Sequence, residues 1–101
     1  MKFEEYWSLM KGDLISEKQF HTMKQRKAFT ARYLGVYVET TSPTITVPRK
    51  ISQKEFLQVW ESAKNYNKGE QFITKTYLDI TQNASYIIAL MNNYLKGDSI
   101  D

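Results

Sequence analysis

The sequence predicts a single α+β domain over residues 1–101: a small antiparallel sheet of three to four strands packed against three to four helices. Three observations predict it. Apolar side chains recur at helical spacing near both ends of the chain. In the middle, around Leu34-Gly35, they alternate with polar ones. The two patterns are also segregated along the chain rather than interleaved, which favours α+β over a parallel α/β sheet. Seven Tyr, five Phe and two Trp supply enough bulk for one modest core, so the chain is globular rather than disordered.

The first element is a short amphipathic helix over 3–10, where Phe3, Tyr6, Trp7 and Met10 form one stripe. Gly12 and Asp13 loosen that pattern. The segment 17–27, "EKQFHTMKQRK", reads either as a strand, "QFHTM", turning through "KQRK", or as a continued helix. The strand is preferred because "QRKAF" makes a poor helical apolar face.

A hairpin follows. With Leu34-Gly35 as its two-residue turn, Tyr33 faces Val36, Ala31 faces Val38 and Phe29 faces Thr40 on one side. The other side carries Thr30, Arg32, Tyr37 and Glu39. "TTSP" reads as a turn, and "TITV" as a short edge strand with Ile45 and Val47 inward, halted by Pro48.

"ISQKEFLQVWESAKNY" is a helix with a capping box, Ser52 with Glu55 three residues on, and Ile51 and Phe56 at the staple positions. Phe56, Val59, Trp60 and Ala63 form its buried stripe. A short helix over 74–80 and a longer one over 84–95 close the chain, with Asn83 as N-cap and Gly97 as terminator. The last pair has the outline of a helix-turn-helix. Tyr77 and Thr81, however, stand where a small residue and a glycine would let the helices cross. The final helix would offer Gln82, Asn83, Ser85, Tyr86, Asn92 and Asn93 to a groove, but no cation before Lys96. It reads chiefly as a core helix.

Charge, not catalysis, is where the sequence points. The balance of 14 basic and 11 acidic residues, net +3, permits a nucleic-acid partner. The cations cluster in "KQRK" (Lys24, Arg26, Lys27) and "PRK" (Arg49, Lys50), both flanking the sheet, with Tyr37 near enough to stack a base. These five residues are the candidate nucleic-acid site, at a hairpin tip and a helix entrance; DNA and RNA are not distinguished. The alternative is a protein-interaction module, a homodimer through the Tyr-rich C-terminal helices, which an exposed patch of Tyr and Ile88 would mark.

An enzyme is not expected. His21 is the sole histidine, and it reads as a partly buried structural residue beside Phe20 and Met23, with Glu17 its nearest carboxylate in sequence. The chain has no cysteine, no Gly-rich phosphate loop and no acid spacing around His21 that suits a metal, so neither cofactor nor metal is expected. "MKFEEYWSLM" lacks the apolar centre of a signal peptide, and no apolar run reaches membrane-span length; a cytoplasmic protein is the simplest expectation.

The run "RKISQKEFLQVW", followed after a glycine by "NASYIIALM", resembles a pattern in small uncharacterised bacterial proteins carried on mobile genes, including integron gene cassettes. The similarity spans residues 20–95 and rests on structural motifs: a cap, a core Trp and an Asn-Ala-Ser-Tyr helix start. It implies a bacterial, cytoplasmic accessory protein, with no known activity and no catalytic residues to carry over.

Overall fold

A computed structural model describes residues 1–101. Helix α1 (Phe3–Asp13) precedes strands β1 (Lys18–His21), β2 (Ala28–Tyr33), β3 (Tyr37–Thr41) and β4 (Arg49–Ser52). Helix α2 (Gln53–Ala63), two 3-10 turns (Lys68–Glu70 and Thr74–Tyr77) and helix α3 (Ala84–Leu95) complete the chain. The four strands form an antiparallel meander in the order β1-β2-β3-β4. This is the α+β architecture the sequence predicts, and segment 17–27 contributes a strand rather than a helix.

Phe20, Phe29, Ala31, Val38 and Ile51 point to one side of the sheet and are buried there. All belong to a single core of 23 residues that also takes the stripes of α1, α2 and α3. Two aromatic groups hold the layers together. Tyr6 stacks on Trp60 at 5.0 Å and Trp7 meets Phe56 edge-on at 5.3 Å, joining α1 to α2. Phe29 meets Tyr86 at 4.9 Å, joining the sheet to α3. The other sheet face carries Gln19, His21, Arg32 and Lys50, all exposed.

The hairpin keeps its faces but not its expected register. Tyr33 pairs with Val38, Ala31 with Thr40 and Arg32 with Glu39, a slip of two residues along β3. The turn centres on Gly35-Val36, closed by the Leu34 N–H donating to Tyr37 O at 2.9 Å, and Gly35 has φ +87°. The reason is twist. Glycine in second place gives a type II turn, which splays the strands; glycine in first place gives the II′ geometry that matches their right-handed twist. A two-residue slip leaves every side chain on its original face. It strands Val36 at the tip, 78% exposed.

The fourth strand is also displaced. Residues 44–47, expected as the edge strand, form a loop in which Val47 is 72% exposed. Pairing starts only at Arg49, because Pro48 has no N–H for the ladder and Pro43 interrupts the chain just after β3. Ile51, opposite Val38, takes the inward place assigned to Val47. Arg49 and Lys50 therefore lie on an edge strand, and the helix entrance begins at Ser52.

That entrance is built as expected. Ser52 Oγ accepts the Glu55 N–H at 3.3 Å, Glu55 Oε2 accepts the Ser52 N–H at 3.0 Å, and Ile51 and Phe56 are both buried. The helix expected over 74–80 shrinks to the 3-10 turn. There the Tyr77 hydroxyl donates to Gln71 O at 2.7 Å, while the Gln71 side-chain amide donates to Ala63 O at 3.0 Å, closing the end of α2. Helix α3 matches its expected span. At its far end Lys96 (φ +50°) and Gly97 (φ +87°) together turn the chain away.

Candidate functional site

Antiparallel register fixes which residues share an end of the sheet. His21 pairs with Ala28, Thr30 with Thr41, and Thr40 with Arg49. The end of β1, the start of β2, the end of β3 and the start of β4 therefore coincide. Both basic clusters fall at this one end, separated by three strand spacings, roughly 14 Å. Asp13 and Glu17 lie at the opposite end, where Asp13 pairs with Lys18 at 3.7 Å.

Lys24, Arg26 and Lys27 occupy the β1–β2 connection, and Thr22 shapes it. The Thr22 N–H donates to Lys27 O at 3.0 Å, Thr22 O accepts the Arg26 N–H at 3.1 Å, and Thr22 Oγ1 accepts the Lys27 N–H at 3.0 Å. Arg26 takes a left-handed conformation, φ +55°, to close this loop. The three cations are exposed and project from a turn held by backbone bonds.

Arg49 and Lys50 diverge, because successive strand residues face opposite sides. Lys50 lies on the open face, with Nζ 5.3 Å from the centre of the Tyr37 ring. Arg49 leans toward α3, where its Nη1 donates to Asn83 Oδ1 at 3.4 Å. Asn83 holds the N-cap position of α3 as expected, yet its side chain makes no capping bond. Its Nδ2 donates instead to Glu55 Oε1 at 3.1 Å, beside Thr81 Oγ1 at 2.9 Å. Burial by itself would raise the Glu55 pKa, but the bonds from Ser52, Thr81 and Asn83 outweigh it and hold the carboxyl below its ordinary value.

None of the five cations takes part in an ion pair; the lysines that do are Lys18 and Lys64. The structure thus brings Lys24, Arg26, Lys27 and Arg49 to one end and sets Lys50 around the corner, against Tyr37.

The same end holds something the sequence reading missed. A cleft of about 330 Å³ opens between the β1–β2 turn, the loop after β3 and the start of α3. Thr22, Lys24, Gln25 and Lys27 form one wall. Ser42 and Thr44, bonded to each other at 3.2 Å, form another, and Thr74, Ser85 and Tyr86 close it. The only sequence signal was the density of hydroxyls in "TTSPTIT" and "NASY", which is legible as a site only after four separate segments meet.

Other expectations change. His21 is exposed rather than partly buried, since Phe20 takes the inward place and alternation turns His21 out. No three of the histidine, aspartate and glutamate side chains converge as a metal site would require. The Tyr-Ile patch that would mark self-association is absent: Ile88 is 0% exposed, and Tyr94 is buried with its hydroxyl on Asp13. Helix α3 buries eight of its twelve residues, Ile87, Ile88, Leu90 and Met91 among them, which fits the core helix expected, and leaves Ser85, Tyr86, Asn92 and Asn93 outside the core. No helix is long and apolar enough to cross a membrane.

Fold and site together define a small α+β protein with a meander sheet, helices over one face, and a basic, donor-rich end. Compared with known proteins, the chain matches no family model, no curated protein and no solved structure.

Proposed function

We propose that the protein is a small non-enzymatic binding protein whose partner is nucleic acid, held at the basic end of the sheet by Lys24, Arg26, Lys27, Arg49 and Lys50. One observation carries this reading: four cations, Lys24, Arg26, Lys27 and Arg49, drawn from two segments far apart in sequence, reach the same end of the sheet with Lys50 on the adjoining open face, and none of the five is neutralised by an ion pair. Phosphate contacts by such cations supply most of the affinity in sequence-independent binding. Tyr37 beside Lys50 supports the reading further, as an aromatic surface on which an unpaired base can stack. The proposal places the protein in the cytoplasm, in an accessory role like that of the bacterial cassette proteins it resembles.

The test is binding to mixed single- and double-stranded DNA and RNA at rising salt. Affinity that falls with salt, and falls again in Lys24→Ala/Lys27→Ala and Arg49→Ala/Lys50→Ala variants, is the expected result. Affinity indifferent to salt, or unchanged in both double variants, would overturn it.

A further inference from the structure

The cleft at the basic end has an unusual lining. Ten residues line it, two of them lysines and none acidic. Six carry hydroxyls: Thr22, Ser42, Thr44, Thr74, Ser85 and Tyr86. Ser42 and Thr44 satisfy each other. Thr22, only 9% exposed, accepts the Lys27 N–H through Oγ1 and keeps its own proton free of any acceptor in the fold. The side chains of Lys24, Lys27, Thr74, Ser85 and Tyr86 have no hydrogen-bond partner within the protein. A concave surface of unpaired donors without a carboxylate is complementary to an oxyanion. Lysine ammonium groups beside hydroxyl donors suit a phosphate, which the lysines meet as point charges while the hydroxyls donate to its oxygens.

The cleft is also larger than one phosphate, and it does not end where the polar lining ends. Lys24 and Thr74 belong equally to an adjoining recess walled by Met23, Phe72, Ile73 and Leu78, with Lys75 at its margin. Ile73 and Leu78 are 48% and 53% exposed there, apolar surface with no cover from the fold. A ligand spanning both would carry a phosphate at one end and a group with apolar faces at the other, with a polar link between.

We propose that cleft and recess together form a subsite for one nucleotide, its phosphate among Lys24, Lys27, Ser85 and Tyr86 and its base against Phe72, Ile73 and Leu78. The subsite deepens the nucleic-acid reading and rests on it in taking the phosphate as that of a nucleotide. A strand end or a free nucleoside monophosphate presents the same chemistry. Inorganic phosphate fills only the polar half.

The experiment titrates the full chain with inorganic phosphate, adenosine monophosphate and a short single strand with and without a 5′-phosphate, followed by amide chemical shifts and calorimetry. Two variants separate the halves. Ser85→Asp puts a negative charge into the cleft and leaves all five cations in place; an acid in the first turn of α3 is favourable to the helix, so folding is retained. Leu78→Ser removes exposed apolar surface from the recess. Adenosine monophosphate is expected to bind on the order of tenfold more tightly than phosphate, and the phosphorylated strand to exceed its unphosphorylated copy by a similar factor. Ser85→Asp should weaken every phosphate-bearing ligand by at least about tenfold, whereas Leu78→Ser weakens the nucleotide and spares phosphate.

No saturable shift at Lys27, Ser85 or Tyr86 at about 10 mM of either small ligand would overturn the subsite. So would a Ser85→Asp variant of unchanged affinity. Lys27→Ala gives a second check should Ser85→Asp lower the melting temperature. The two proposals fail separately. Strands that bind in a salt-dependent way in wild type and Ser85→Asp alike overturn the subsite and leave the basic end standing. A mononucleotide that binds where no strand does overturns nucleic acid as the partner and leaves the cleft standing.

Discussion

The amide of Asn83 donates a 3.1 Å hydrogen bond to the carboxylate of Glu55 and accepts one from Arg49, so one side chain joins the starts of α2 and α3 to the edge strand. Glu55 is the charged centre of that junction. It accepts from Ser52, Thr81 and Asn83 while completing the capping box of α2.

Glu55 makes stability depend on acid. Its folded pKa lies below its ordinary value of 4.5, so its contribution is fully present above that value and is lost as pH falls through the folded pKa. Glu55→Gln should cost about 1–2 kcal/mol at neutral pH. Urea unfolding of both proteins as a function of pH checks this. The difference between them should shrink below pH 4.5, and a pH-independent gap would remove the carboxylate from the account.

The alkaline side belongs to the tyrosines. Burial pushes the Tyr77 phenol up to about 12 and holds Tyr6 and Tyr94 well above the ordinary 10, Tyr94 with help from its 2.6 Å bond to Asp13. Groups with raised folded pKa values contribute fully below the unfolded value and lose their contribution as pH rises past it. Stability should therefore decline from about pH 10 upward, and an ultraviolet titration should find three of the seven tyrosines silent until the chain unfolds. If all seven titrated together in the folded protein, the packing described for α1 and α3 would be wrong.

Thr22→Val tests whether the basic turn is preformed. The variant loses the Oγ1 acceptor of the Lys27 N–H, which should cost about 1 kcal/mol. It should also weaken nucleic-acid binding without removing any charge, because the three cations would then have to be ordered on binding. Thermal melting gives the first effect and a binding isotherm at fixed salt the second.

Thr40 goes the other way. It is 0% exposed between Ala31 and Arg49 on the inner face, and its hydroxyl has no partner. Thr40→Val keeps the shape and discards an unsatisfied group, so the denaturation midpoint should rise, by about 1 kcal/mol in stability. A lower midpoint would mean the hydroxyl has found an acceptor.

The salt slope counts the cations. If each of the five neutralises one phosphate of a single strand, log K against log salt should have a slope near about −3.5, and each alanine substitution should flatten it by roughly 0.7. A slope near zero would leave the basic end without a phosphate role.

Some of this architecture was legible in the chain because it is local. The stripe Phe3, Tyr6, Trp7, Met10, the Ser52–Glu55 cap and the span of α3 depend on residues within a few turns of one another, where spacing alone dictates the outcome. The faces of the hairpin were legible for the same reason. Its register was not: alternation has a period of two and is blind to a slip of two, which the turn geometry of Gly35 settles. The exposure of His21 followed only once Phe20 was committed to the core.

The site shows the same division more sharply. Residue order alone located two clusters of cations, "KQRK" and "PRK", since charge is written residue by residue. Whether Lys27 and Arg49 share an end of the sheet is decided by three antiparallel pairings, and whether Lys24 meets Ser85 is decided by where α3 crosses the strands. The chain by itself determined α1, α2 and α3, the Ser52–Glu55 cap and the faces of its central hairpin, because those follow from neighbours within reach of each other, whereas the helix expected over 74–80 yielded to a 3-10 turn. Only tertiary packing decided that the cations converge, that Ile88 is buried and that a donor-lined cleft exists, because each needs segments tens of residues apart to meet around one shared core.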